Sequence, residues 1–491
     1  MTKTLEHIMK DIPCKIEGNK KVTINRIEFD SRKVSTGDVF VALRGTQVDG
    51  HHFIPAAIEK GASAILCEEI PEGIGSDKIT LVTVENSASA LGRAAANFYD
   101  RPGSQLKLVG VTGTNGKTSI ATLLYRLFTQ LGNTCGLLST VVNRIGTDQV
   151  DATHTTPDAV TIQRLLKQMV DAGCTHAFME VSSHAIDQQR IAGLEFDVAL
   201  FTNLTHDHLD YHKTFDDYLR AKKLLFDSLS GNAFALVNAD DKHSKVMVQN
   251  TRAQVKTFAV HTVADFKAKI IESHFDGMLI NIDNKEVWIK LIGLFNASNI
   301  LAVYGAASLL GYPRDEILRI ISTLDTVDGR FEYVRSNTGI TAIIDYAHTP
   351  DALKNVLSTI REIKPEKSQL ITVVGAGGDR DKTKRPVMGK LSAEMSERII
   401  LTSDNPRSEN PEAIIKDMMM GIEAGDRNKV LAISDRREAI RAACMMAESG
   451  DVVLIAGKGH ETYQEIKGVR NYFNDKQVVS EIFMVNNINL Q

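Results

Sequence analysis

The feature that most constrains this chain is an apolar strand that runs directly into a glycine-rich loop and then into a helix. Leu106–Val111 is the predicted strand, and Thr112–Thr118 supplies the loop with the sequence TGTNGKT. Beyond the loop, apolar residues recur at helical spacing, at Ile120, Leu123, Leu124, Leu127 and Leu131. Glycines let backbone N–H groups converge on phosphate oxygens, and the start of a helix adds positive potential. The segment therefore predicts a phosphate-binding loop inside an α/β fold.

Two residues of this loop carry the chemistry that such loops perform. Lys117 is placed to reach the terminal phosphates of a nucleotide, and the Thr118 hydroxyl is placed to ligate Mg²⁺. The loop departs from the pattern GxxxxGK[ST], because Thr112 stands where that pattern has its first glycine. The residues predicted to bind ATP here are Gly113, Thr114, Asn115, Gly116, Lys117, Thr118 and Ser119.

The length of the chain predicts several domains, because 491 residues exceed what one hydrophobic core usually supports. Apolar runs alternate with helix-period stretches, which is typical of doubly wound α/β sheets. Only Val255–Leu291 shows the short alternation of antiparallel hairpins. We expect three domains: an N-terminal α/β domain over residues 1–104, a central domain over 105–331 with a parallel sheet and a small antiparallel sheet, and a Rossmann-like C-terminal domain over 332–491.

Composition excludes some classes of protein. A net charge of -4 argues against a general nucleic-acid binder, which would carry a concentrated positive surface. The five cysteines are scattered without a CxxC pair, which suits a reducing cytoplasm. No apolar run approaches the ~18 residues needed to span a membrane. We therefore expect a cytoplasmic protein, a monomer, that binds neither nucleic acid nor membranes.

Polar clusters follow several predicted strands, at the edge where ligands sit in doubly wound sheets. Glu180 lies near the end of the strand Ala177–Val181, and its carboxylate could hold Mg²⁺ together with Thr118. The segment Asn203–His212 follows Val198–Phe201 and contains an HxH pattern. That pattern occurs in zinc sites, but no coherent ligand set with cysteine accompanies it. Metal binding and an unspecific polar loop both remain open for it.

The variant loop TGTNGKT resembles the Mur ligases and the related folylpolyglutamate synthases, and the chain is similar to the Mur ligases over essentially its whole length. The resemblance implies an enzyme that uses ATP and Mg²⁺ to activate a carboxylate as an acyl phosphate and then joins it to an amine. It implies catalytic roles for Lys117, Glu180, His208 and Lys222, with Thr118, Glu180, His208 and Lys222 at the metal.

Lys222 is the position at which Mur ligases carry a carbamylated lysine, N6-carboxylysine, so the resemblance implies that modification here. A lysine partly desolvated by apolar neighbours has a lowered pKa, and its neutral amine can react with CO₂. Lys223 is the adjacent competitor. Without the resemblance, a lone helical lysine would be read as a solvated surface charge.

Further contacts are implied by the same resemblance. Those predicted to lie near the nucleotide are Asn296, Asn299, Arg330 and Asp345, although Asn296 and Asn299 could equally be a helix cap. Those predicted to bind the UDP-muramoyl dipeptide are Phe29, Ser31, Thr46, Gln47, Val48, His154, Thr155, Thr156, Ser182, Gln188 and Arg190. The segment His154–Pro157 also suits a plain helix start.

The segment Asp404–Arg407 reads DNPR and resembles the motif of the diaminopimelate-adding Mur ligases. meso-Diaminopimelate is lysine with an extra carboxylate, which Arg407 could grip bidentately. L-Lysine would leave Arg407 without its anionic partner. The residues predicted to bind diaminopimelate are Arg380, Asp404, Asn405, Pro406, Arg407, Gly457 and Glu461.

The implied reaction joins meso-2,6-diaminopimelate to the D-glutamate of UDP-N-acetylmuramoyl-L-alanyl-D-glutamate, in bacterial peptidoglycan precursor synthesis. Three alternatives remain at this point. The same reaction could use L-lysine, the chain could act as a folylpolyglutamate synthase, or it could be a nucleotide-binding regulator without catalysis.

Overall fold

The computed structural model describes residues 2–45, 48–76, 79–152 and 154–488. Over these ranges the strands form sheets of five, eleven and six strands and two further strand pairs. The strand pairs are Lys3–Thr4 with Thr23–Ile24, and Tyr463–Ile466 with Val469–Tyr472. In this same part of the chain, no helix has the length and apolar character to cross a membrane.

The first sheet is built from short, buried strands that lie mostly parallel to each other. Its strands are, in spatial order, Lys15–Glu17, Thr80–Thr83, Ala64–Cys67, Val39–Val41 and Ile27–Glu28. The helices around it are Leu5–Ile8, Ile54–Glu59 and Ser87–Phe98, with 3₁₀ turns at Gly50–Phe53 and Pro102–Gln105. The edge strand Lys15–Glu17 is the antiparallel member.

The helix Ser87–Phe98 carries small residues where it meets the next part of the chain. A Cβ added to Gly92 would lie 2.4 Å from the Ala192 carbonyl oxygen, and one added to Gly193 would lie 2.9 Å from the Gly92 oxygen. Only glycine permits so close an approach of two backbones. The first sheet is therefore held against the second by direct backbone packing.

The second sheet surrounds the phosphate-binding loop. Its strands are, in spatial order, Asp148–Val150, Asn143–Ile145, Cys135–Leu138, His176–Glu180, Lys107–Thr112, Val198–Phe201, Phe234–Asn238, Gln254–Ala259, Phe266–His274, Gly277–Ile282 and Lys285–Ile289. The strand Lys107–Thr112 lies between two parallel neighbours, His176–Glu180 and Val198–Phe201. All three strands thus end at one edge, where the loop begins.

Helices cover both faces of this sheet and bury two apolar cores. One core involves the helices Lys117–Gln130 and Leu294–Leu309, and the other involves Ala159–Asp171 and Phe215–Asp227. The remaining helices of this part are Ser183–Asp187, Leu209–His212, Ser244–Met247 and Arg314–Ile321. Apolar strands covered on both faces are typical of parallel α/β sheets.

The predicted antiparallel stretch continues the second sheet. Pairing is antiparallel from Phe266–His274 through Gly277–Ile282 to Lys285–Ile289. The prediction of hairpins is wrong for the first strand, because Gln254–Ala259 is parallel to both of its neighbours, Phe234–Asn238 and Phe266–His274, and joins the hairpins to the central strands. The change from parallel to antiparallel therefore occurs within one continuous sheet.

The third sheet has the doubly wound arrangement expected from its alternating pattern. Its strands are, in spatial order, Glu332–Arg335, Thr341–Asp345, Val452–Ala456, Leu370–Val374, Arg398–Leu401 and Val430–Ala432. Its helices are Pro350–Ile363, Lys384–Met395, Pro411–Met419, Arg436–Met446 and Asp475–Ile488, with a 3₁₀ turn at Ala424–Lys429. Only Glu332–Arg335 is antiparallel to its neighbour, so the carboxyl ends of the parallel strands share one edge.

A buried ion pair ties two helices to this third sheet. The Arg436 guanidinium donates to both carboxylate oxygens of Asp475, at 2.8 and 2.7 Å, and both side chains are 0% exposed. A third bond runs from Arg436 to the Ala456 carbonyl oxygen at 3.1 Å. The pair joins two helix starts to the end of a central strand.

We predict that Asp475→Asn destabilises the C-terminal part of the chain by about 3–5 kcal/mol, because removing one partner leaves a buried, unpaired charge. Unfolding in urea measures the change in the free energy of unfolding. The control is Glu481→Gln, which breaks an exposed pair with Arg437 and should change the free energy of unfolding little. Equal, small effects of both substitutions would contradict the prediction.

Candidate functional site

The phosphate-binding loop is shaped by two glycines with left-handed backbone angles. Gly113 has φ +146° and Gly116 has φ +90°. A Cβ on Gly113 would lie 1.8 Å from Thr202 Oγ1, and one on Gly116 would lie 2.7 Å from Asn299 Oδ1. Side chains at these positions would collide with the walls of the loop. The glycines are therefore required both for the turn and for space.

Residues that follow the neighbouring strand Val198–Phe201 hold the loop by hydrogen bonds. Asn203 accepts from the Asn115 N–H through Oδ1 and from the Thr114 N–H through its carbonyl oxygen, both at 2.9 Å. The Thr202 hydroxyl donates to the Asn115 carbonyl oxygen at 2.6 Å. These bonds are internal to the protein and fix the shape of the loop, which lowers the cost of ordering it on binding.

Lys117 folds back over this loop. Its ammonium donates to the carbonyl oxygens of Gly113 and Thr114, both at 2.9 Å. Burial lowers the pKa of Lys117, and the nearby Glu180 carboxylate opposes that shift. The geometry places an ammonium beside the backbone of the loop, where phosphate oxygens could replace the carbonyls as acceptors.

A carboxylate and a hydroxyl meet beside Lys117. The Thr118 hydroxyl donates to Glu180 Oε2 at 3.0 Å, and the Thr140 N–H donates to Glu180 Oε1 at 2.7 Å. Arg330 reaches the same hydroxyl, with Nη2 3.1 Å from Thr118 Oγ1. Carboxylate and hydroxyl oxygens are the hard ligands that Mg²⁺ prefers, so this donor set fits that ion.

Two adjacent lysines of the helix Phe215–Asp227 lie in different surroundings. Lys222 is 1% exposed and donates to the Gly113 carbonyl oxygen at 2.9 Å, above the ring of Tyr218. Lys223 instead pairs with Asp227 one turn along the helix, at 2.5 Å. Burial, together with the charge of Lys117, lowers the pKa of Lys222 well below its ordinary value. The structure thus places Lys222, and not Lys223, at the loop.

The three histidines of the segment after Val198–Phe201 point to three different partners. His208, with φ +56°, lies 3.3 Å from the Asp207 carboxylate and near the loop. His206 bonds Asp381 of the third sheet at 3.0 Å, and His212 bonds the Ser183 hydroxyl at 2.9 Å. Burial lowers the pKa of His208 to about 3, against the pull of Asp207. A neutral imidazole is the form that can ligate a metal.

These histidines do not converge as a zinc site would require. Among residues 2–45, 48–76, 79–152 and 154–488, no group of three or more His, Cys, Asp or Glu side chains has an arrangement that could hold a metal ion. His208 instead lines the same cavity as Thr118 and Glu180, whose side chains offer oxygen ligands.

One cavity, here called the loop cavity, gathers residues from several predicted groups. From the loop and its surroundings it is lined by Thr114, Asn115, Gly116, Lys117, Thr118, Glu180, His208, Lys222 and Arg330. From the predicted dipeptide contacts it is lined by His154, Thr155, Thr156, Ser182 and Arg190. Arg380 reaches the same cavity from the third sheet. Three separate parts of the sequence thus meet around one space.

Gln188 bonds Arg190, one of the residues that line the loop cavity, and orients its side chain. Its Oε1 accepts from the Arg190 Nε and Nη2, at 3.0 and 2.6 Å, and its Nε2 donates to the Tyr211 hydroxyl at 3.1 Å. Arg190 also donates to the Thr156 carbonyl oxygen at 3.0 Å. In the structure, the Gln188 amide therefore bonds protein groups and holds Arg190 in place.

A second cavity of about 300 Å³, here called the side cavity, opens on the other side of the loop. The predicted nucleotide contacts that line it are Asn115, Gly116, Ser119, Asn299, Arg330 and Asp345. Apolar walls come from Phe258, Val260, Leu294, Phe295 and Val356, which carry no recognisable motif in the sequence. The mixture of apolar walls and a few polar groups is typical of a small-molecule site.

Asn296 does not line the side cavity. Its Nδ2 donates to the Ile292 carbonyl oxygen at 2.9 Å, and its Oδ1 accepts from Asn299 Nδ2 at 3.3 Å. The side chain is 3% exposed. Asn296 thus lies behind Asn299. The alternative that these two residues cap the helix is wrong, because the helix Leu294–Leu309 begins after Gly293 and has no side-chain cap.

Asp345 and Arg330 stand at the junction of the second and third sheets. The Asp345 carboxylate accepts from the Phe331 N–H at 2.7 Å, and burial raises its pKa to about 6, against the influence of Arg330. The Arg330 guanidinium stacks on the Tyr346 ring, 4.5 Å from its centre. A further bond across this junction joins Asn115 Nδ2 to Asp351 Oδ2 at 2.9 Å, a contact that the motifs did not reveal.

The predicted dipeptide-substrate contacts of the first sheet lie apart from both cavities. Phe29 is 37% exposed just after the strand Ile27–Glu28, and the Ser31 carbonyl oxygen accepts from Lys60 at 2.9 Å. Val48 is 55% exposed. Thr46 and Gln47 lie outside the described residues. Phe29, Ser31 and Val48 thus lie at the first sheet and line neither the loop cavity nor the side cavity.

The segment Asp404–Arg407 packs against the glycines that precede Arg380. A Cβ on Gly378 would lie 1.9 Å from the Pro406 carbonyl oxygen. Arg407, with φ +51°, donates from Nη1 to the Gly378 carbonyl oxygen at 2.6 Å. In the described part of the chain, no carboxylate pairs with Arg407 within 4.0 Å. Its guanidinium has donors to spare for an anion.

Asn405 and Glu461 are joined across this segment. Asn405 Nδ2 donates to Glu461 Oε2 at 2.8 Å. Gly457, with φ +115°, lies beside them, and a Cβ there would be 2.5 Å from Asp404 Oδ2. The predicted amino-acid contacts of the third sheet therefore form one group, with the exposed Arg380 between it and the loop cavity.

Comparison with known families identifies the class of protein. The Mur ligase family, catalytic domain, matches residues 23–99, the Mur ligase middle domain matches residues 111–307, and the Mur ligase, glutamate ligase domain, matches residues 329–459. With the relatives below, these matches show that the chain belongs to the Mur ligase family. It is an ATP-dependent ligase that forms amide bonds.

Individual relatives resemble the chain over nearly its full length. It is 56% identical over 480 residues to the UDP-N-acetylmuramoyl-L-alanyl-D-glutamate–2,6-diaminopimelate ligase of Bacteroides thetaiotaomicron, covering 98% of this chain and 99% of that protein. It is 55% identical over 467 residues to the ligase of the same name from Cytophaga hutchinsonii, covering 95% and 96%. A solved structure of a ligase of that name has a TM-score of 0.70 and 33% identity, covering 99% of this chain and 100% of the other.

We predict that Gly116→Ala lowers the affinity for ATP at least ~10-fold, because the added methyl group strains the backbone and pushes Asn299 away. Calorimetric titration with ATP measures the change. The matched control is Gly132→Ala, which has nearly the same angle, φ +89°, but no atom within 4 Å of the added Cβ. Equal losses of affinity in both variants would show that crowding at the loop is unimportant.

Proposed function

We propose that the chain joins meso-2,6-diaminopimelate to the D-glutamate of UDP-N-acetylmuramoyl-L-alanyl-D-glutamate, with conversion of ATP to ADP and phosphate. The observation that carries the proposal is the loop cavity, which Lys117, Lys222, Arg190 and Arg380 all line. Residues suited to phosphates, to an acidic peptide and to an incoming amino acid share that one space. The names of the relatives at 55–56% identity support the same reaction.

Two steps convert the carboxylate into the amide. First, an oxygen of the D-glutamate γ-carboxylate attacks the γ-phosphorus of ATP, and ADP leaves. Then the neutral amine nitrogen of diaminopimelate attacks the acyl carbon, loses a proton, and phosphate departs with the former carboxylate oxygen. Lys117 neutralises charge on the transferring phosphoryl group. Arg190 and the hydroxyls of Thr155 and Ser182 orient the peptide carboxylate from the opposite wall.

We propose Mg²⁺ as the resident metal, since Thr118 and Glu180 offer oxygen ligands beside Lys117. His208 and a carbamylated Lys222 would complete its surroundings. When bound, the ion draws the phosphate oxygens together and offsets their charge. The low pKa of Lys222 supports the carbamate, because only a neutral amine reacts with CO₂.

We propose the side cavity for the adenine, with Asn299 as its polar contact. The uridine would lie at the first sheet, near Phe29, Ser31 and Val48. Residues 1–104, 105–331 and 332–491 would act as three domains that hold the nucleotide sugar, ATP and the amino acid. Substrates such as ATP and a UDP-sugar suit a cytoplasmic enzyme, and a monomer remains our prediction.

The choice of amino acid tests the proposed function most directly. We expect ADP release to depend on meso-diaminopimelate, with L-lysine giving a kcat/KM at least ~100-fold lower, because lysine leaves Arg407 without an anion. Equal or better use of L-lysine would disprove this specificity. ADP release without any amine requirement would favour a different activity.

Arg407→Asn should lower kcat/KM for diaminopimelate at least ~100-fold and leave the KM for ATP within ~2-fold. Asparagine tolerates the left-handed angle of this position better than most residues, so the loss reports on the guanidinium. The control is Arg427→Asn, in the exposed 3₁₀ turn Ala424–Lys429. A variant that still prefers diaminopimelate as strongly as the parent would overturn the assignment of Arg407.

Lys222→Ala should reduce kcat at least ~100-fold, whereas Lys223→Ala should stay within ~3-fold, because only Lys222 reaches the loop. Labelling with ¹³CO₂ and NMR gives a second readout. A carbamate signal is expected in the parent and in Lys223→Ala, and it should be missing in Lys222→Ala. A signal that persists in Lys222→Ala would place the carbamate elsewhere.

A further inference from the structure

The third sheet holds a buried lysine that the proposed reaction leaves without a role. Lys458 follows the strand Val452–Ala456, and its side chain is 0% exposed. Its ammonium donates to Asn405 Oδ1 at 3.1 Å and to Glu461 Oε2 at 2.8 Å, and it lies 5.5 Å from the centre of the Tyr463 ring. Burying an ammonium costs free energy unless it is paired. The groups that pair with Lys458 therefore account for its burial.

The lysine fixes the orientation of one amide. Asn405 Oδ1 accepts from the Lys458 ammonium and also from the Glu465 N–H, at 2.9 Å. A flipped amide would set its NH₂ group against both of these donors. Asn405 Nδ2 must therefore face Glu461, where it donates to Oε2 at 2.8 Å.

The same bonds leave one oxygen of a carboxylate free. Glu461 Oε2 accepts from both Lys458 and Asn405. Over the described ranges of the chain, no hydrogen bond reaches Glu461 Oε1, and the side chain is 15% exposed. Oε1 is therefore the atom of this carboxylate that remains able to accept a bond from a ligand.

The charges of this group are unbalanced. Asp404 and Glu461 contribute two negative charges, and Lys458 contributes one positive charge. The adjacent pair Arg436–Asp475 is internally neutral. Among Asp404, Glu461 and Lys458 the carboxylates thus outnumber the ammonium, while Arg407 is directed at the Gly378 carbonyl oxygen. This local excess of carboxylate in a largely buried setting favours the binding of a cation beside Glu461. An ammonium group of a diamino acid is such a cation.

We propose that Lys458 is a positioning residue of the amino-acid subsite, where it aligns Asn405 and Glu461 so that Glu461 Oε1 accepts an ammonium group of the substrate. The proposal rests on the proposed function, because it needs the third sheet to bind the diamino acid. In this proposal Lys458 does not touch the substrate and acts only through Glu461.

The charge of Lys458 also affects the ionisation of Glu461. Burial and the Asp404 charge raise the pKa of Glu461, and Lys458 opposes this rise. The titratable or charged groups that face Glu461 are Asp404, Lys458, Arg436, Tyr346 and Tyr463. Removing Lys458 should raise the pKa of Glu461 further. The protonated acid would then form at higher pH and bind an ammonium less well.

The first test is Lys458→Met, which keeps most of the length of the side chain and removes its charge. We expect the KM for meso-diaminopimelate to rise at least ~10-fold, with the KM for ATP within ~2-fold. The acid limb of a plot of this KM against pH should move to higher pH. The control is Lys416→Met, at an exposed position of the helix Pro411–Met419, which should change neither quantity.

A double-mutant cycle separates positioning from general damage. Glu461→Gln should raise the KM for diaminopimelate by itself, and Lys458→Met should add less than ~2-fold in that background. Independent effects that multiply, or an unchanged KM and pH profile in Lys458→Met, overturn the proposal. If the parent enzyme uses diaminopimelate while these results fail, the proposed function stands and only the role of Lys458 falls. If the parent does not use it, the proposed function fails first.

A measurement on the unaltered protein covers the case in which Lys458→Met does not fold. A crystal structure with diaminopimelate should place an ammonium nitrogen within about 3.2 Å of Glu461 Oε1, while Lys458 stays on Oε2. An ammonium on Oε2 in place of Lys458, or none near Glu461, overturns the proposal.

Discussion

One carbonyl oxygen organises the centre of this molecule. The Gly113 oxygen accepts from the ammonium groups of both Lys117 and Lys222, each at 2.9 Å. The two ammonium groups repel each other, and after burial the charge of Lys117 is the next cause of the lowered pKa of Lys222. The repulsion between the two ammonium groups falls when an anion binds nearby or when one of them loses a proton. The proposed binding of phosphate and the proposed carbamylation of Lys222 would both reduce this repulsion.

The walls around that centre come from different sheets. Thr118 bonds Arg330, Asn115 bonds Asp351, and His206 bonds Asp381. Each of these bonds joins the second sheet, or its loop, to residues at or beyond the junction with the third sheet. The loop cavity thus exists in this form because the two sheets are close together. Separation of the two sheets would break these three bonds and open the cavity.

Much of the centre could be predicted because it depends on local sequence. The strand, loop and helix around Lys117 follow from glycine placement and from a regular apolar pattern. The choice between Lys222 and Lys223 did not follow from local pattern alone, since it depends on which face of a helix meets the loop. The exclusion of Asn296 from the side cavity is similar, because adjacent turns of one helix differ in depth. Phe258 and Phe295 are too ordinary in sequence to reveal that they form a wall.

The group around Lys458 shows another limit. A glycine-flanked lysine in a sequence indicates a flexible surface residue as readily as a buried one. Its burial results from the third sheet bringing Asn405, which follows the strand Arg398–Leu401, to the segment that carries both Lys458 and Glu461. Contacts between residues so far apart in the chain cannot be read from spacing. They become visible only when the sheet order is known.

The close packing of Gly92 against Ala192 has a consequence for the size of the substrate. Because the two backbones touch, the first sheet has no room to slide toward the second. At this seam the first sheet cannot approach the second more closely, so the surface around Phe29 and the loop cavity cannot be brought together there by compression. Under the proposed function, the seam would therefore set a lower limit on the length of a ligand that reaches from one to the other.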